Sequence, residues 1–267
     1  MALIIDTDIG SDIDDAIAIA YAIKSDLDIK LISTVHGPTE MRAKIAKKFT
    51  QELGQDIPVA IGEKYPIKQP HILITGLEGK DYIEKNEEFN LETNAVDSII
   101  KTIYQNKKTD LVALGPLTNI AMAINKDNNL SKYINHIYIM GNVLQTKDNI
   151  YLNYRSHNLK VDPEAADIVF NAPVPKTIIT TEVCKKNFLT RCELFSLGNN
   201  SSLDYIVAAG KDWMNHIKTD VAYLYDPLVI HHLIDDDITQ KTIYGNVRIT
   251  NDVKPFKNQL LEVLLHE

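Results

Sequence analysis

The sequence predicts an α/β protein built on an open, mostly parallel sheet with helices on both faces. Short apolar runs recur along the chain, and amphipathic stretches of helical length separate them. Alternating strands and helices form βαβ units, whose crossovers cover both faces of a parallel sheet. The 267 residues, 45% of them hydrophobic, suffice for one large domain over residues 1–267.

The predicted elements alternate regularly until the segment near residue 180. Each strand is a short run rich in Ile, Leu and Val, and each helix repeats apolar residues every three or four positions. The second helix is predicted to carry its Lys and Arg side chains on the outer face. In chain order the elements are strand Leu3–Ile5, helix Asp15–Ile23, strand Ile29–Val35, helix Glu40–Leu53, strand Ile57–Ile61, helix Ala95–Tyr104, strand Asp110–Leu114, helix Leu117–Ile124, strand Ile137–Met140, helix Asp162–Phe170 and strand Lys176–Thr180.

Two longer segments interrupt this alternation. Glu63–Thr93 contains prolines, glycines and mixed charges, and Asn187–Asp212 is similarly irregular. A long loop inside a compact domain more often forms a lid or rim than a simple connection. We therefore predict irregular backbone in both segments and a lid function for the first.

Composition argues against several classes of partner. The net charge of −8 disfavours a nucleic-acid-binding surface, which needs clustered Lys and Arg. Cys184 and Cys192 lack zinc or redox spacing and fit a reduced cytosolic protein. No apolar run approaches the roughly 18 residues of a membrane helix, and the N-terminus is unlike a signal peptide. We expect a cytoplasmic protein whose partner is a small molecule.

The segment that follows the first strand contains five aspartates, Asp6, Asp8, Asp12, Asp14 and Asp15. Capping of the next helix accounts for only one or two of them. Two carboxylates about 5 Å apart repel by roughly 3 kcal/mol at an effective dielectric of about 20, so a partly buried cluster raises its pKa values or recruits a cation. Irregularly spaced oxygen ligands suit Ca²⁺ or Mg²⁺. We predict a divalent-cation site here, with calcium preferred.

The predicted topology indicates which other residues share this site. In open α/β sheets, ligands bind beyond the carboxyl ends of the strands. Asp8 follows the first strand, Gly115–Asn119 follow strand 110–114, and Gly141 and Asn142 follow strand 137–140. All of these should open on one edge, so Asn142 is predicted to contact the ligand.

Two other families with clustered aspartates match less well. The EF-hand loop is flanked by helices and ends in Glu at its twelfth position. The Asp6-x-Asp8 pattern after a strand also resembles phosphotransferases of the haloacid dehalogenase type. Those proteins bring their remaining acids from a later strand, whereas Asp14 and Asp15 follow immediately here.

Four blocks resemble the inosine–uridine preferring nucleoside hydrolase family, in that family's order. The first, Asp6–Ala16, is similar to the N-terminal pattern Asp-Thr-Asp-x-Gly-x-Asp-Asp-Ala, with a two-residue insertion that some members carry. The others are Ala113–Ala121, then Ile139–Gly141 with Asn158–Ala166, and finally Asp226–Leu228. The resemblance covers nearly the whole chain and implies a nucleoside hydrolase-like fold with a Rossmann-like core.

The resemblance also implies a metal site and a general base. Asp8, Asp15 and Asp226 would coordinate Ca²⁺ together with the backbone carbonyl of Thr118. Asp8 would in addition take the proton from the attacking water. Hydrolysis of an N-glycosidic bond passes through an oxocarbenium-like sugar, and surrounding carboxylates stabilise its positive charge.

A second set of matched residues would bind the sugar. Asp14 and Asn158 would hold the ribose hydroxyls, and Asp226 would contact both sugar and metal. Asn149 or Asn153 would reach the 5′ side. A bound cation would orient the water and the ribose diol while a nearby carboxylate removes the proton.

The chain departs from the family at several sugar- and base-facing positions. Gly37-Pro38 stands where the family often has Gly-Asn, and Thr75–Gly79 stands where it has His-Gly-x-x-Gly. Ser156 stands where the family has a Glu that contacts the ribose. The His that precedes the last Asp, a leaving-group acid in some members, is Tyr225. A tyrosine hydroxyl can donate a hydrogen bond at this catalytic position but protonates a leaving base less readily than imidazolium.

Some polar residues have competing interpretations. His157 could replace the missing imidazole as a substrate-binding residue, and Glu78 in the lid is another candidate. The alternative for both is an ordinary polar residue of an exposed loop. Asp162 precedes a proline and is predicted to cap a helix. His231 and His232 lie inside the last predicted helix and are expected to be structural.

The sequence thus predicts calcium-dependent hydrolysis of the N-glycosidic bond of a ribonucleoside, or of a related ribosyl N-glycoside, releasing base and ribose in nucleoside salvage. The alternative is a diverged protein that binds metal and a ribosyl ligand with little or no turnover, because several family positions are replaced. The resemblance implies a homodimer or homotetramer.

Overall fold

An eight-stranded sheet forms the centre of the fold. The computed structural model describes residues 1–68, 71–146, 149–235 and 239–266. The strands are β1 (Leu3–Thr7), β2 (Ile29–Thr34), β3 (Val59–Ala60), β4 (Thr109–Ala113), β5 (Ile134–Gly141), β6 (Val143–Gln145), β7 (Ile150–Leu152), β8 (Lys176–Thr180), β9 (Phe188–Thr190), β10 (Val221–Tyr223), β11 (Thr239–Tyr244) and β12 (Val247–Val253).

The order of strands across the sheet places a ligand site at one point. The order is β3-β2-β1-β4-β5-β8-β12-β11, and every pair is parallel except β11 with β12. The chain winds outward from β1 through β2 to β3, then returns to β4 and winds the other way. Such a switch point opens a crevice at the carboxyl ends of the two central strands. The aspartate segment after β1 lies there.

Helices cover both faces of the sheet, as predicted. Neighbouring residues of β1 separate into two apolar clusters, because successive strand side chains point to opposite faces. Ile5 packs in the cluster that contains α1, α2, α9, α10 and α11, and Ile4 packs in the cluster that contains α3, α4 and α6. The helices are α1 (Asp14–Lys24), α2 (Thr39–Glu52), α3 (Ala95–Asn106), α4 (Thr118–Lys126), α5 (His157–Val161), α6 (Pro163–Asn171), α7 (Thr181–Cys184), α8 (Arg191–Ser196), α9 (Asp204–Ile217), α10 (Tyr225–Ile234) and α11 (Lys257–Leu265).

Two sequence predictions about these elements were wrong. Most of the segment expected to be irregular after residue 187 is helical, and α8 begins with a capping box between Thr190 and Glu193 that the sequence already displayed. The basic side chains of α2 do not all face outward, because Arg42 is 1% and Lys47 is 5% exposed. Lys47 Nζ donates to Asp56 at 2.6 Å and to the backbone carbonyl of Ile57 at 2.9 Å.

The predicted lid segment is irregular. Residues 69 and 70 within it lie outside the described part of the chain. Its remaining residues form no helix or strand, and an isolated bridge joins Glu92 to Ala60. None of the described helices is long and apolar enough to cross a lipid bilayer.

Candidate active site

The segment after β1 turns sharply and leads directly into α1. Gly10 adopts a φ of +110°, which only glycine tolerates without strain. The carboxylate of Asp12 accepts hydrogen bonds from the backbone N–H groups of Ile13, at 2.7 Å, and of Asp14. Asp12 therefore accepts N–H groups at the start of the helix. The Asp15 carboxylate accepts the hydroxyl of Thr7, and both Asp14 and Asp15 line the cleft.

Three buried carboxylates converge at this point. Asp14, Asp15 and Asp226 each contribute one oxygen, and these oxygens lie within 4.8 Å of one another. Asp14 and Asp15 occupy the first turn of α1, and Asp226 occupies the first turn of α10. The backbone N–H of Asp226 also hydrogen-bonds the Asp14 carboxylate. Both helix N-termini thus favour negative charge where the acids meet.

The electrostatics of this triad fit a divalent cation. Burial, reinforced by the charge of Asp8, raises the pKa of Asp15 to about 8. Burial and the neighbouring carboxylates raise the pKa values of Asp14 and Asp226 well above their usual range. Hard carboxylate oxygens are the ligands that Ca²⁺ and Mg²⁺ prefer, and such an ion offsets the repulsion that raises these pKa values.

Asp6 supports the site from behind. Its buried carboxylate accepts hydrogen bonds from Ser33 Oγ at 2.5 Å and from Asn119 Nδ2 at 2.7 Å. Its backbone carbonyl accepts the N–H of Leu114 at 2.8 Å, which joins the ends of β1 and β4. Asp6 therefore holds the switch point together instead of facing the cleft.

Arg42 is a site residue that the sequence analysis missed. Its guanidinium donates to the backbone carbonyls of Asp8, Ile9 and His36, at 2.7 Å for Ile9 and 2.8 Å for His36. Its charge also lowers the pKa of Asp15, although burial outweighs it. The sequence did contain a signal for this residue, because helical spacing places Arg42 on the same face of α2 as the small residues that pack into the core.

A cleft of about 630 Å³ opens above the triad, within the usual range for small-molecule pockets. The sheet edge, the lid and the start of α10 all contribute to its walls. The residues that were predicted to act in the site and that line this cleft are Asp8, Asp14, Asp15, Asn142, His157, Asn158, Tyr225 and Asp226.

The amide side chains in the cleft are held by the ends of the strands. Asn158 Nδ2 donates to the backbone carbonyls of Leu114 and Met140, which follow or belong to β4 and β5. Asn142 Nδ2 donates to Thr181 Oγ1 and to Glu182, both at 2.9 Å. Both amides are thereby fixed at the cleft wall.

Two predicted site residues are not among those that line the cleft. Thr118 is buried in the first turn of α4, where its hydroxyl donates to Asp162 at 2.7 Å, and the role of its backbone carbonyl as a ligand stays a prediction. Asn149 is exposed on the hairpin of β6 and β7, whereas Asn153 lines the cleft. Asp162 accepts the backbone N–H of Ala165 at 3.1 Å, so its predicted capping role is confirmed.

The surroundings of three further polar residues determine their ionisation or their structural role. Burial, followed by the charge of Asp14, raises the pKa of Tyr225 far above its usual value, so its hydroxyl stays protonated. Burial opposes ionisation of Glu78, but hydrogen bonds from Thr75 lower its pKa overall. Glu78 also accepts from Ser11 at 3.1 Å and ties the lid to the aspartate segment. His231 is buried against Tyr21 at 2.6 Å and is structural, as predicted.

The switch-point cleft and its buried carboxylates are those of an α/β protein with a candidate metal site in a small-molecule pocket. The chain belongs to the inosine-uridine preferring nucleoside hydrolase family, whose family model matches residues 3–259. Its enzyme class is therefore that of the N-ribohydrolases. The fold prediction is confirmed as well.

Relatives and solved structures agree with this assignment. Uridine nucleosidase 1 of Arabidopsis thaliana is 29% identical over 256 residues, which cover 88% of this chain and 74% of that protein. A plant nucleoside hydrolase structure, PpNRh1, superposes with a TM-score of 0.82 at 24% identity, covering 98% of this chain and 97% of the other. A purine-preferring ribonucleoside hydrolase from Gardnerella vaginalis also gives 0.82, at 22% identity, covering 99% and 96%. These two structures establish the likeness of fold.

Proposed function

We propose that this protein hydrolyses the N-glycosidic bond of ribonucleosides with a bound divalent cation, preferably Ca²⁺. The observation that carries the proposal is the buried triad of Asp14, Asp15 and Asp226 beneath a cleft of nucleoside size, in a member of the nucleoside hydrolase family. Calcium is preferred because it tolerates irregular oxygen geometry better than Mg²⁺.

The cation would be held by the three converging carboxylates. Asp8 lines the same cleft, and its charge acts on all three, so it lies beside the triad. When bound, a divalent cation supplies Lewis-acid chemistry that lowers the pKa of a coordinated water. The sequence resemblance had placed Asp8 among the ligands and Asp14 at the sugar. The convergence of Asp14 with Asp15 and Asp226 supports Asp14 as a further candidate ligand, and the role of Asp8 as a ligand stays a prediction.

Asp8 is the proposed general base. Arg42 holds its backbone carbonyl, so the carboxylate starts from a fixed position. The carboxylate takes one proton from water as the water oxygen bonds to C1′ of the sugar. The bond from C1′ to the base nitrogen breaks, and its electron pair leaves with the base. The Tyr225 hydroxyl, kept protonated by burial, donates a hydrogen bond to that base.

The remaining residues of the cleft would bind the sugar. Asn158 and Asn142 are held at the ends of β5, and His157 lies at the rim. Neutral amides suit hydroxyl groups because they both donate and accept. These side chains, with Asp226, would orient the ribose against Asp8.

One observation favours a second candidate function. Tyr225 replaces an imidazole that acts as leaving-group acid in some members, and its raised pKa makes it a weaker acid. A protein of this kind could bind metal and ribonucleosides while turning them over slowly. This second candidate is a binding protein, and it predicts that metal and ribonucleosides bind with little or no turnover.

The deciding experiment measures ribose release from a panel of purine and pyrimidine ribonucleosides. We expect turnover that a chelator abolishes and that added CaCl₂ restores more fully than MgCl₂. Full activity in the chelator would contradict the metal requirement. Binding of calcium and ribose without any turnover would instead establish the second candidate.

Replacement of Gly115 by Ala tests the role of Asp8. A Cβ at this glycine would lie 2.9 Å from Asp8 Oδ1 and 2.7 Å from Val35, so the carboxylate must move. Ordinary contact is restored by a shift of roughly half an ångström, and because a misplacement of about 1 Å costs on the order of 100-fold, we expect kcat/KM for a ribonucleoside to fall about tenfold. Gly198→Ala is the matched control, because Gly198 lies outside the cleft lining and its Cβ meets only ordinary contacts of 3.5 Å or more. Equal losses in the two variants would argue against a positional requirement for Asp8.

A further inference from the structure

His36 occupies a constrained position in the wall of the cleft. It follows β2 and adopts a φ of +63°, a left-handed conformation that costs about 1–2 kcal/mol in a residue with a side chain. Its backbone N–H donates to Glu63 at 2.8 Å, and its carbonyl accepts from Arg42 at 2.8 Å. The side chain is 3% exposed. The surrounding structure therefore fixes this imidazole, and strained residues of this kind cluster at functional sites.

The hydrogen bonds of the ring identify its tautomer. The backbone N–H of Leu73, in the lid, donates to Nε2 of His36 at 3.1 Å. Nε2 must therefore be the unprotonated acceptor, and the single proton of the neutral ring lies on Nδ1. Burial lowers the pKa of His36 to about 4, which agrees with a neutral ring at pH 7.

The donor on Nδ1 has no partner among the described residues. The atom is buried and forms no hydrogen bond within the described part of the chain. A buried donor left unsatisfied costs about 1–3 kcal/mol, and such groups are rare in native proteins. The ring nevertheless lines the cleft, where it feels the charge of Asp8 and lies 6.3 Å from the ring of His157.

We propose that the Nδ1–H group of His36 donates a hydrogen bond to a ribose oxygen of the substrate, which makes His36 a substrate-binding residue of this site. The inference rests on the proposed function, because it takes the ligand to be a ribonucleoside. The Leu73 contact aligns the ring, so the same lid that covers the cleft also orients the donor.

The nearby acids favour a sugar hydroxyl as the acceptor. A neutral donor on a fixed ring suits a neutral hydroxyl oxygen. Because His36 lies close enough to feel the charge of Asp8, its ring lies near the carboxylates that would surround ribose. A neutral imidazole that donates from Nδ1 binds the sugar and does not protonate the leaving base. His36 therefore does not replace the imidazole lost at Tyr225.

Two substitutions separate the ring nitrogens. In His36→Asn the side-chain amide can place a donor near Nδ1, whereas in His36→Gln the amide reaches the position of Nε2 and the Nδ1 donor is lost. Asn also tolerates the left-handed backbone well. We expect Kd for a ribonucleoside, measured by calorimetry, to rise about tenfold in His36→Gln and less than threefold in His36→Asn. His71→Gln, at an exposed imidazole of the lid, is the control and should leave Kd unchanged.

Deoxynucleosides then distinguish a lost contact from general strain. The tenfold loss in His36→Gln should vanish for the one analogue, 2′-, 3′- or 5′-deoxy, that lacks the contacted hydroxyl. A strained backbone would weaken all ligands alike, and that result would overturn the proposal, as would unchanged affinity in His36→Gln. If one of these two results is obtained and the wild-type protein still binds and hydrolyses ribonucleosides, only the proposed role of His36 is refuted. If the wild type neither binds nor hydrolyses them, the proposed function fails with it.

Discussion

Replacement of Asp226 by Asn is expected to abolish turnover and to weaken cation binding at least 100-fold. The substitution removes one of three carboxylates whose oxygens lie within 4.8 Å of one another, while it keeps the shape of the side chain. An amide oxygen carries no net charge and binds a divalent cation less well than a carboxylate. The loss should appear both in calorimetric titration with CaCl₂ and in ribose release.

The same variant should be more stable than the wild type in the absence of metal. The raised pKa of Asp226 means that folding disfavours its ionised form, so at neutral pH the folded protein bears a cost that Asn removes. At about 5 Å and an effective dielectric of about 20, each removed repulsion is worth roughly 3 kcal/mol at most. We expect a gain of about 2 kcal/mol in the free energy of unfolding in chelator, and a reversed order in excess calcium.

A surface acid provides the control for this experiment. Asp204 is exposed in the first turn of α9, outside the cleft, and Asp204→Asn should change neither calcium affinity nor unfolding in chelator. If Asp226→Asn destabilised the metal-free protein as much as the calcium-bound protein, the carboxylate would be serving the fold and not a cation.

Replacement of Gly62 by Ala is expected to lower the free energy of unfolding strongly. A Cβ at this glycine would lie 2.0 Å from the backbone oxygen of Thr34 and 2.4 Å from Asn119 Nδ2. Backbone cannot yield as a flexible side chain does, and Asn119 is fully buried and bonded to Asp6, Thr34 and the backbone of Glu63. Overpacking together with disrupted buried hydrogen bonds should cost at least about 3 kcal/mol, or roughly 10 °C in Tm.

Gly54 offers a matched control for Gly62. It follows α2 with a φ of +78°, and nothing lies within 4 Å of its added Cβ. Gly54→Ala should therefore cost only the backbone strain, about 1 kcal/mol. Thermal unfolding of both variants checks the comparison. A smaller loss for Gly62→Ala than for Gly54→Ala would show that the contact between β2, α4 and the start of the lid is loosely packed.

The fold and the chemical character of the site could be predicted from the sequence because both depend on local patterns. The apolar alternation predicted the parallel sheet with helices on both faces, and the strand-to-helix order placed the aspartate segment at a carboxyl edge. Some predicted ends of strands and helices were wrong, because tertiary contacts decide where those elements end. The strand expected at 57–61 shortens to Val59–Ala60, because only these two residues pair with β2 at this edge of the sheet. The single domain and the oligomeric state remain predictions.

The sequence by itself determined that five aspartates crowd one turn after the first strand, and it indicated that they serve a cation. The family resemblance joined Asp15 to Asp226, and the tertiary structure placed Asp14 with them. Asp14 and Asp15 meet Asp226 because α10 begins beside α1, and no local pattern encodes that approach. The tautomer of His36 likewise depends on Leu73, a residue far along the chain. Periodicity is a local property, whereas hydrogen bonds and ion sites need atoms within a few ångströms, and packing alone brings distant residues that close.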